Sequence, residues 1–333
     1  MKHPKKEIVK RVAVVGCKHT TKDLILGLQR YGFSIDHCIT IDPETGREQK
    51  VAGYMNLMPF LESEGIPYTV ARKYNLKSDV DRETLLSLNL DALLVMGWQR
   101  LIPDWWLDSL SIGAFGMHGS SRPLPHGRGR SPINWSLIQD KDMFYTHLFQ
   151  YEPGIDDGSV VGVQTFDINP HDDCLTLHFK NTVSMIRLCV THLPALLAGS
   201  AQLTPQPEEP ATYYPKRSEE DGLIYWEDAT TQIYNLVRAV TKPFPGAFSY
   251  LNDDPDRKIR IWTAQPFDTR LQYPQAQPGE IVEVFYNGML VVRSGDSTVL
   301  VTRSEGYDFS IEDVGSFLGT RDTPRKRWES LPK

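Results

Sequence analysis

The sequence predicts an α/β protein: a doubly wound, Rossmann-like, mostly parallel sheet followed by a smaller, mostly β domain. Three observations predict it. Short apolar runs alternate with helix-spaced segments through the first half of the chain, the pattern of βαβ units. The polar stretch AQLTPQPEEP at 201–210 carries three prolines and has the composition of a linker. Beyond it the apolar runs are short and close together, and Asn287-Gly288 stands between two of them as a hairpin signal.

The elements follow in order. RVAVVG at 11–16 reads as a buried strand ending in glycine, and 20–31 as a helix with Leu24, Ile25 and Leu28 at helical spacing. Residues 35–41 and 67–70 read as the next strands, 81–88 as a helix and 93–96 as a fourth strand, with 112–115 a short one after it. Residues 133–139 read as a helix, 145–150 and 160–168 as strands joined through the turn GIDDG, and 174–199 as a long helix. Past the linker, 229–239 reads as a helix stopped by Pro243, and 246–251, 259–264, 280–286 and 289–292 as short strands. The expected division is a first domain at 1–200, a linker at 201–212, a second domain at 213–320 and a tail at 321–333.

Composition narrows the class. The chain has 333 residues, 40% hydrophobic and 23% charged, with a net charge of −6. These are ordinary globular values. No apolar run approaches the ~18 residues that a membrane helix requires. The basic start leads into a segment that alternates like a strand, so it predicts neither a signal peptide nor a membrane partner. The four cysteines are dispersed and form no CxxC pair, so neither a zinc site nor a disulfide framework is indicated. A reducing cytoplasm is the expected setting. GCKHT at the first turn holds a single glycine, so the GxGxxG dinucleotide fingerprint is absent.

The stretch GMHGSSRPLPHGRGRSPI at 116–133 is unlike a core element: it holds two histidines, three arginines and four glycines. Open α/β sheets bind ligands beyond the carboxyl ends of their strands, and His118 is expected at that edge. The turn at 154–158 carries Asp156 and Asp157. A carboxylate beside an imidazole fixes its tautomer and raises its basicity, so such a pair can move a proton.

The order of these motifs resembles the formyltransferases that use 10-formyltetrahydrofolate. Gly116-Met-His118-Gly-Ser120, Pro123-Leu-Pro125, Arg128-Gly129 and Pro132-Ile133 are similar to that family's Asn-x-His-x-Ser-Leu-Leu-Pro, Arg-Gly and Pro-Ile pattern. GIDDG is similar to its Gly-Leu-Asp-Thr-Gly. The resemblance implies that His118 and Asp156 are catalytic. It also implies that the folate donor is held by Gln99, Arg100, Leu101 and Ile102 of GWQRLIP, together with Gly154 and Asp156. Tyr214-Pro-Lys216, Ile224-Tyr-Trp226, Pro245-Gly-Ala-Phe248 and Pro278-Gly-Glu resemble the C-terminal domain of the methionyl-tRNA formyltransferases, which implies an open-barrel, OB-like form for the second domain. Two departures stand out. The family's catalytic asparagine falls on Gly116, and the loop carries two extra residues around Ser121 and Arg122. Ser120, Ser121 and Asn134 are the expected replacement donors for the formyl oxygen. No metal is implied.

Two amine acceptors occur in the family, an initiator tRNA and a nucleotide-linked amino sugar. From 206 to 333 the chain carries 15 Lys and Arg against 20 Asp and Glu. A tRNA-binding surface needs clustered cations, so nucleic acid is disfavoured as a partner. The dense basic run at 321–327 reads as a solvated tail. Arg128 and Arg130 flank Gly129, and guanidinium forks match a diphosphate. The resemblance thus points to N-formylation of a nucleotide-linked amino sugar in glycan synthesis. A folate-binding protein of weak activity and a formyltetrahydrofolate hydrolase are the alternatives. A homodimer is compatible with the resemblance.

Overall fold

The computed structural model describes residues 10–320. In chain order it runs β1 (Val12–Val15), α1 (His19–Arg30), β2 (His37–Thr40), α2 (Pro43–Glu48), α3 (Met58–Ser63), β3 (Tyr68–Val70), α4 (Asp79–Ser87), β4 (Ala92–Val95), α5 (Asp104–Leu107) and β5 (Gly113–Ser120). It continues with β6 (Arg128–Gly129), α6 (Pro132–Ile138), β7 (Met143–Gln150), β8 (Val160–Asp167), α7 (Cys174–Leu197), β9 (Tyr213–Tyr214) and α8 (Thr230–Val240). The last strands are β10 (Ala247–Leu251), β11 (Lys258–Pro266), β12 (Ile281–Val284), β13 (Leu290–Arg293), β14 (Thr298–Glu305) and β15 (Leu318–Gly319).

The chain divides into two compact units. One holds the residues up to 119, then 145–166 and 180–211; the other holds 120–144, 167–179 and the residues from 212 on.

The first unit is built on a seven-stranded sheet of order β3-β2-β1-β4-β5-β7-β8. β1, β2, β3, β4 and β5 pair in parallel. Strands buried on both faces should be apolar throughout, and VAVV of β1 and ALLV of β4 are buried at every position. One apolar layer, with Leu24, Leu28, Leu94, Phe115 and Leu193, covers one face. Another, with Val15, Ile39, Leu93, Trp98 and Trp106, covers the other.

β5 is longer than periodicity suggests. It continues through His118 to Ser120, where the sequence predicts a strand ending at Phe115 and then a loop. Gly116 and Gly119 are poor strand formers, but β5 pairs with β4 as far as Gly116 and has β7 on its other side, and ladder pairing outweighs local propensity.

The second unit centres on a six-stranded antiparallel sheet of order β12-β13-β14-β11-β10-β15. Its edges approach each other: the Ile281 N–H reaches the Ser316 carbonyl at 2.8 Å, and the Gly315 N–H reaches the Ile281 carbonyl at 2.9 Å. The sheet therefore curls into an open barrel, the form the resemblance implies. Asn287-Gly288 turns the β12–β13 hairpin, with Gly288 at φ +78°. β14 and β15 are additional to the strands the sequence predicts. α8 packs against β11 and α6. The basic run at 321–327 lies outside the described residues.

Candidate functional site

β4 and β5 run in parallel, and their last paired residues are Val95 and Gly116. β5 then continues past that point, which sets His118 beyond the carboxyl end of β4. The loop Gly97–Ile102 leaves the same end of β4. Sheet direction alone therefore gathers the predicted histidine and the predicted folate loop at one edge.

Asp156 reaches this edge from the β7–β8 turn. His118 Nδ1 and Asp156 Oδ2 lie 3.4 Å apart, with His118 buried and Asp156 partly buried. Asp156 has φ +52°, a left-handed conformation that aspartate tolerates better than most side chains. The turn is pinned twice. The Gln206 side chain donates to the carbonyls of Asp156 at 2.8 Å and Gly158 at 2.9 Å. The Gln150 N–H donates to the Ser159 carbonyl at 2.9 Å. Gly158 must be glycine, because a Cβ there would stand 1.8 Å from the Gln150 carbonyl oxygen. Asp157, the other acid of the turn, folds back against Gly154.

A second histidine supports the first. His147 on β7 is buried, and its Nδ1 faces the His118 carbonyl at 3.3 Å. Facing a carbonyl, that nitrogen is the donor. Burial, then the neighbouring His118, push its pKa down to about 4.

In the folate loop, Gly97 has φ +77°, and a Cβ there would press on Thr21 at 2.8 Å. Tyr74 packs edge-on against Trp98 with centroids 4.6 Å apart and accepts from the Gln99 N–H at 3.0 Å. Arg100 lies over the Tyr74 ring at 4.7 Å. Leu101 is exposed, whereas Ile102 is buried in the core. The Trp98 indole N–H is buried without a hydrogen-bond partner among the described residues.

The remaining predicted residues belong to the second unit. Ser120 is fully buried, and its hydroxyl packs against Gly127. Ser121 lies 3.5 Å from the Tyr214 hydroxyl, which itself donates to Gln139 at 2.6 Å. The Asn134 amide donates to the Ala239 carbonyl at 2.6 Å, at the end of α8. That bond commits one of its two N–H groups. The arginine loop is held by β9: Arg128 and Gly129 pair in parallel with Tyr213 and Tyr214, and the Arg130 N–H donates to the Tyr214 carbonyl at 3.0 Å. Arg128 Nη1 donates to the Tyr213 hydroxyl at 3.3 Å. Arg130 is exposed, and no described carboxylate pairs with its guanidinium.

Three residues about His118 and Asp156 escape sequence reasoning: His147, Gln206 and Tyr151. A Cβ at Gly116 would meet the Tyr151 ring. The only sequence signal for Tyr151 is the glycine itself, where the resemblance implies a side chain. Among the described residues no group of three His, Cys, Asp or Glu side chains is placed to hold a metal ion. No described helix is long and apolar enough to cross a membrane.

A parallel α/β sheet and a curled antiparallel sheet are the two parts of the formyltransferase fold. Residues 216–318 match the family model "Formyl transferase, C-terminal domain". Residues 216–318 thus carry the formyl transferase C-terminal domain, and the chain as a whole shares the fold of solved formyltransferases. Among solved structures it is similar to HypX from Aquifex aeolicus in complex with tetrahydrofolic acid, at 17% identity and TM-score 0.60, covering 88% of this chain and 44% of HypX. The chain thus spans less than half of HypX. The N-formyltransferase from Helicobacter canadensis, in complex with folinic acid and dTDP-3-aminofucose, is similar at 14% identity and TM-score 0.63, covering 89% of this chain and 100% of that one. Methionyl-tRNA formyltransferase from Clostridium thermocellum is similar at 17% identity and TM-score 0.52, covering 77% and 93%.

Proposed function

We propose that the protein transfers a formyl group from 10-formyltetrahydrofolate to the primary amine of a nucleotide-linked amino sugar. The observation that carries this reading is the His118–Asp156 pair at the sheet edge, 3.4 Å apart. The folate supplies the activated formyl group. The loop fits such a ligand: the exposed Leu101 offers apolar surface, and the buried Trp98 N–H is an uncommitted donor. Gln99, Arg100, Leu101 and Ile102 would hold the folate, with Gly154 and Asp156 at the turn.

The chain's own residues then have separable tasks. Asp156, accepting from Nδ1–H of His118, leaves Nε2 with a lone pair. His118 takes the proton that the amine loses on attack. Asp156 holds the imidazole and stabilises it once charged. Gln206 keeps the carboxylate turn in place. Arg128 and Arg130 are suited to the diphosphate of the acceptor.

Support for a sugar acceptor comes from charge and from a relative. The C-terminal part has more acids than bases. The Helicobacter canadensis enzyme was solved with dTDP-3-aminofucose. The second reading, formylation of methionyl-tRNA, is favoured by the likeness to the Clostridium thermocellum enzyme.

The test is to incubate the protein with 10-formyltetrahydrofolate and a panel of dTDP-, UDP- and GDP-linked amino sugars, alongside charged initiator tRNA. Mass spectrometry of the products is expected to show one formylated nucleotide sugar. Formyl-methionyl-tRNA alone, or free formate alone, would sink the reading. With the sugar substrate in hand, Arg130→Ala is expected to raise its KM about tenfold, because a charge-assisted hydrogen bond contributes roughly 1.5–3 kcal/mol. The KM for the folate should not move. An unchanged sugar KM would remove Arg130 from phosphate binding.

A further inference from the structure

The space in front of Gly116 is filled by another side chain. A Cβ on Gly116 would lie 2.3 Å from Tyr151 Cε1, 2.4 Å from Cζ and 2.5 Å from the hydroxyl oxygen. The tip of the phenol therefore stands where a side chain at position 116 would begin.

That place is beside His118. Alternate residues of a strand share a face, so Ala114, Gly116 and His118 point the same way. The Tyr151 N–H donates to the Ala114 carbonyl at 2.7 Å, while His147 meets the His118 carbonyl. These two links run in opposite chain directions, so β7 lies antiparallel to β5 and continues one residue to Tyr151. Tyr151 thus sits on the same face as Gly116 and His118. Its ring leans on Phe149, with centroids 5.3 Å apart.

The chemistry of the phenol suits a donor. Burial, reinforced by the Asp156 carboxylate, raises its pKa above the ordinary tyrosine value, so it stays protonated. Its hydroxyl makes no hydrogen bond to another described residue. Tyr151 is half-buried, and a phenol O–H that bonds to no described residue next to a proposed catalytic pair has a donor to give to a ligand.

We propose that Tyr151 is a catalytic residue whose hydroxyl donates a hydrogen bond to the formyl oxygen during transfer, in the volume that Gly116 leaves open. This rests on the formyl-transfer reading above. In the reaction the amine nitrogen bonds to the formyl carbon, and the bond from that carbon to the folate nitrogen breaks. The electron pair stays on the folate nitrogen, which receives a proton, and the amine proton leaves through His118. The formyl oxygen gains negative charge as the first bond forms and loses it as the second breaks. Tyr151 keeps its own proton throughout. Gly116 and Tyr151 are then one device: the missing side chain makes room for the phenol.

The test uses the full chain and 10-formyltetrahydrofolate carrying a ¹³C-labelled formyl group. Isotope-edited infrared spectra of the bound complex are expected to show a formyl C=O stretch at lower frequency in the wild type than in Tyr151→Phe. Turnover of Tyr151→Phe should fall about 10²–10³-fold, the usual cost of one such donor, with folate affinity held within about threefold. Gly116→Asn combined with Tyr151→Ala places an amide in the vacated space and should turn over faster than Tyr151→Ala alone. An identical stretch in both proteins, or undiminished turnover in Tyr151→Phe, overturns the proposal. The infrared shift needs no acceptor. A wild type that shows it but formylates no amine therefore defeats the transfer reading, while the contact stands.

Discussion

His118→Ala is expected to lower turnover by about 10²–10⁴-fold, the usual contribution of a positioned acid–base group. Asp156→Asn should cost less and act through His118. The carboxylate lies 3.4 Å from Nδ1 at a partly exposed edge, so its loss leaves the imidazole present but poorly held. Near wild-type turnover in His118→Ala would remove the residue from the mechanism, and near wild-type turnover in Asp156→Asn would detach the carboxylate from it.

The second large effect concerns stability in acid. His147 is neutral in the folded protein, with its pKa lowered to about 4 from the 6.5 of a free imidazole. Between those values the unfolded chain binds a proton at this position and the folded chain does not. Stability is therefore retained above pH 6.5 and lost as pH falls towards 4. The loss from this one group is up to about 3 kcal/mol, since each tenfold weakening of proton affinity is worth roughly 1.4 kcal/mol. Urea unfolding across this range should show it. His147→Asn, which retains a donor near the His118 carbonyl but does not titrate, should flatten the slope. An equal slope in both proteins would mean that His147 is protonated in the fold.

Much of this was legible in sequence, for physical reasons. Helix spacing at Leu24, Ile25 and Leu28 and the apolar run at 93–96 answer to burial, which leaves a strong mark on composition. His118 and Asp156 could be paired because each lies in a motif whose order is recognisable. The continuation of β5 through Gly116 was not legible, since its cause is a neighbour on each side rather than the glycine's own preference. β14 was missed although Val299 and Val301 alternate as a strand should. Gln206 is hidden in a stretch that reads as pure linker, and Tyr151 at the start of one that reads as a turn. Both act through backbone or empty space, and neither leaves a pattern in residue types.

The tie made by Gln206 bears on how the chain can be shortened. A fragment ending at residue 200 would keep every strand of the parallel sheet, yet it would lose the amide that clasps the carbonyls of Asp156 and Gly158. It would also lose Thr204, which pairs with Val160 at the start of β8. The carboxylate turn of such a fragment would lack its side-chain clasp. One ending at 211 would retain both.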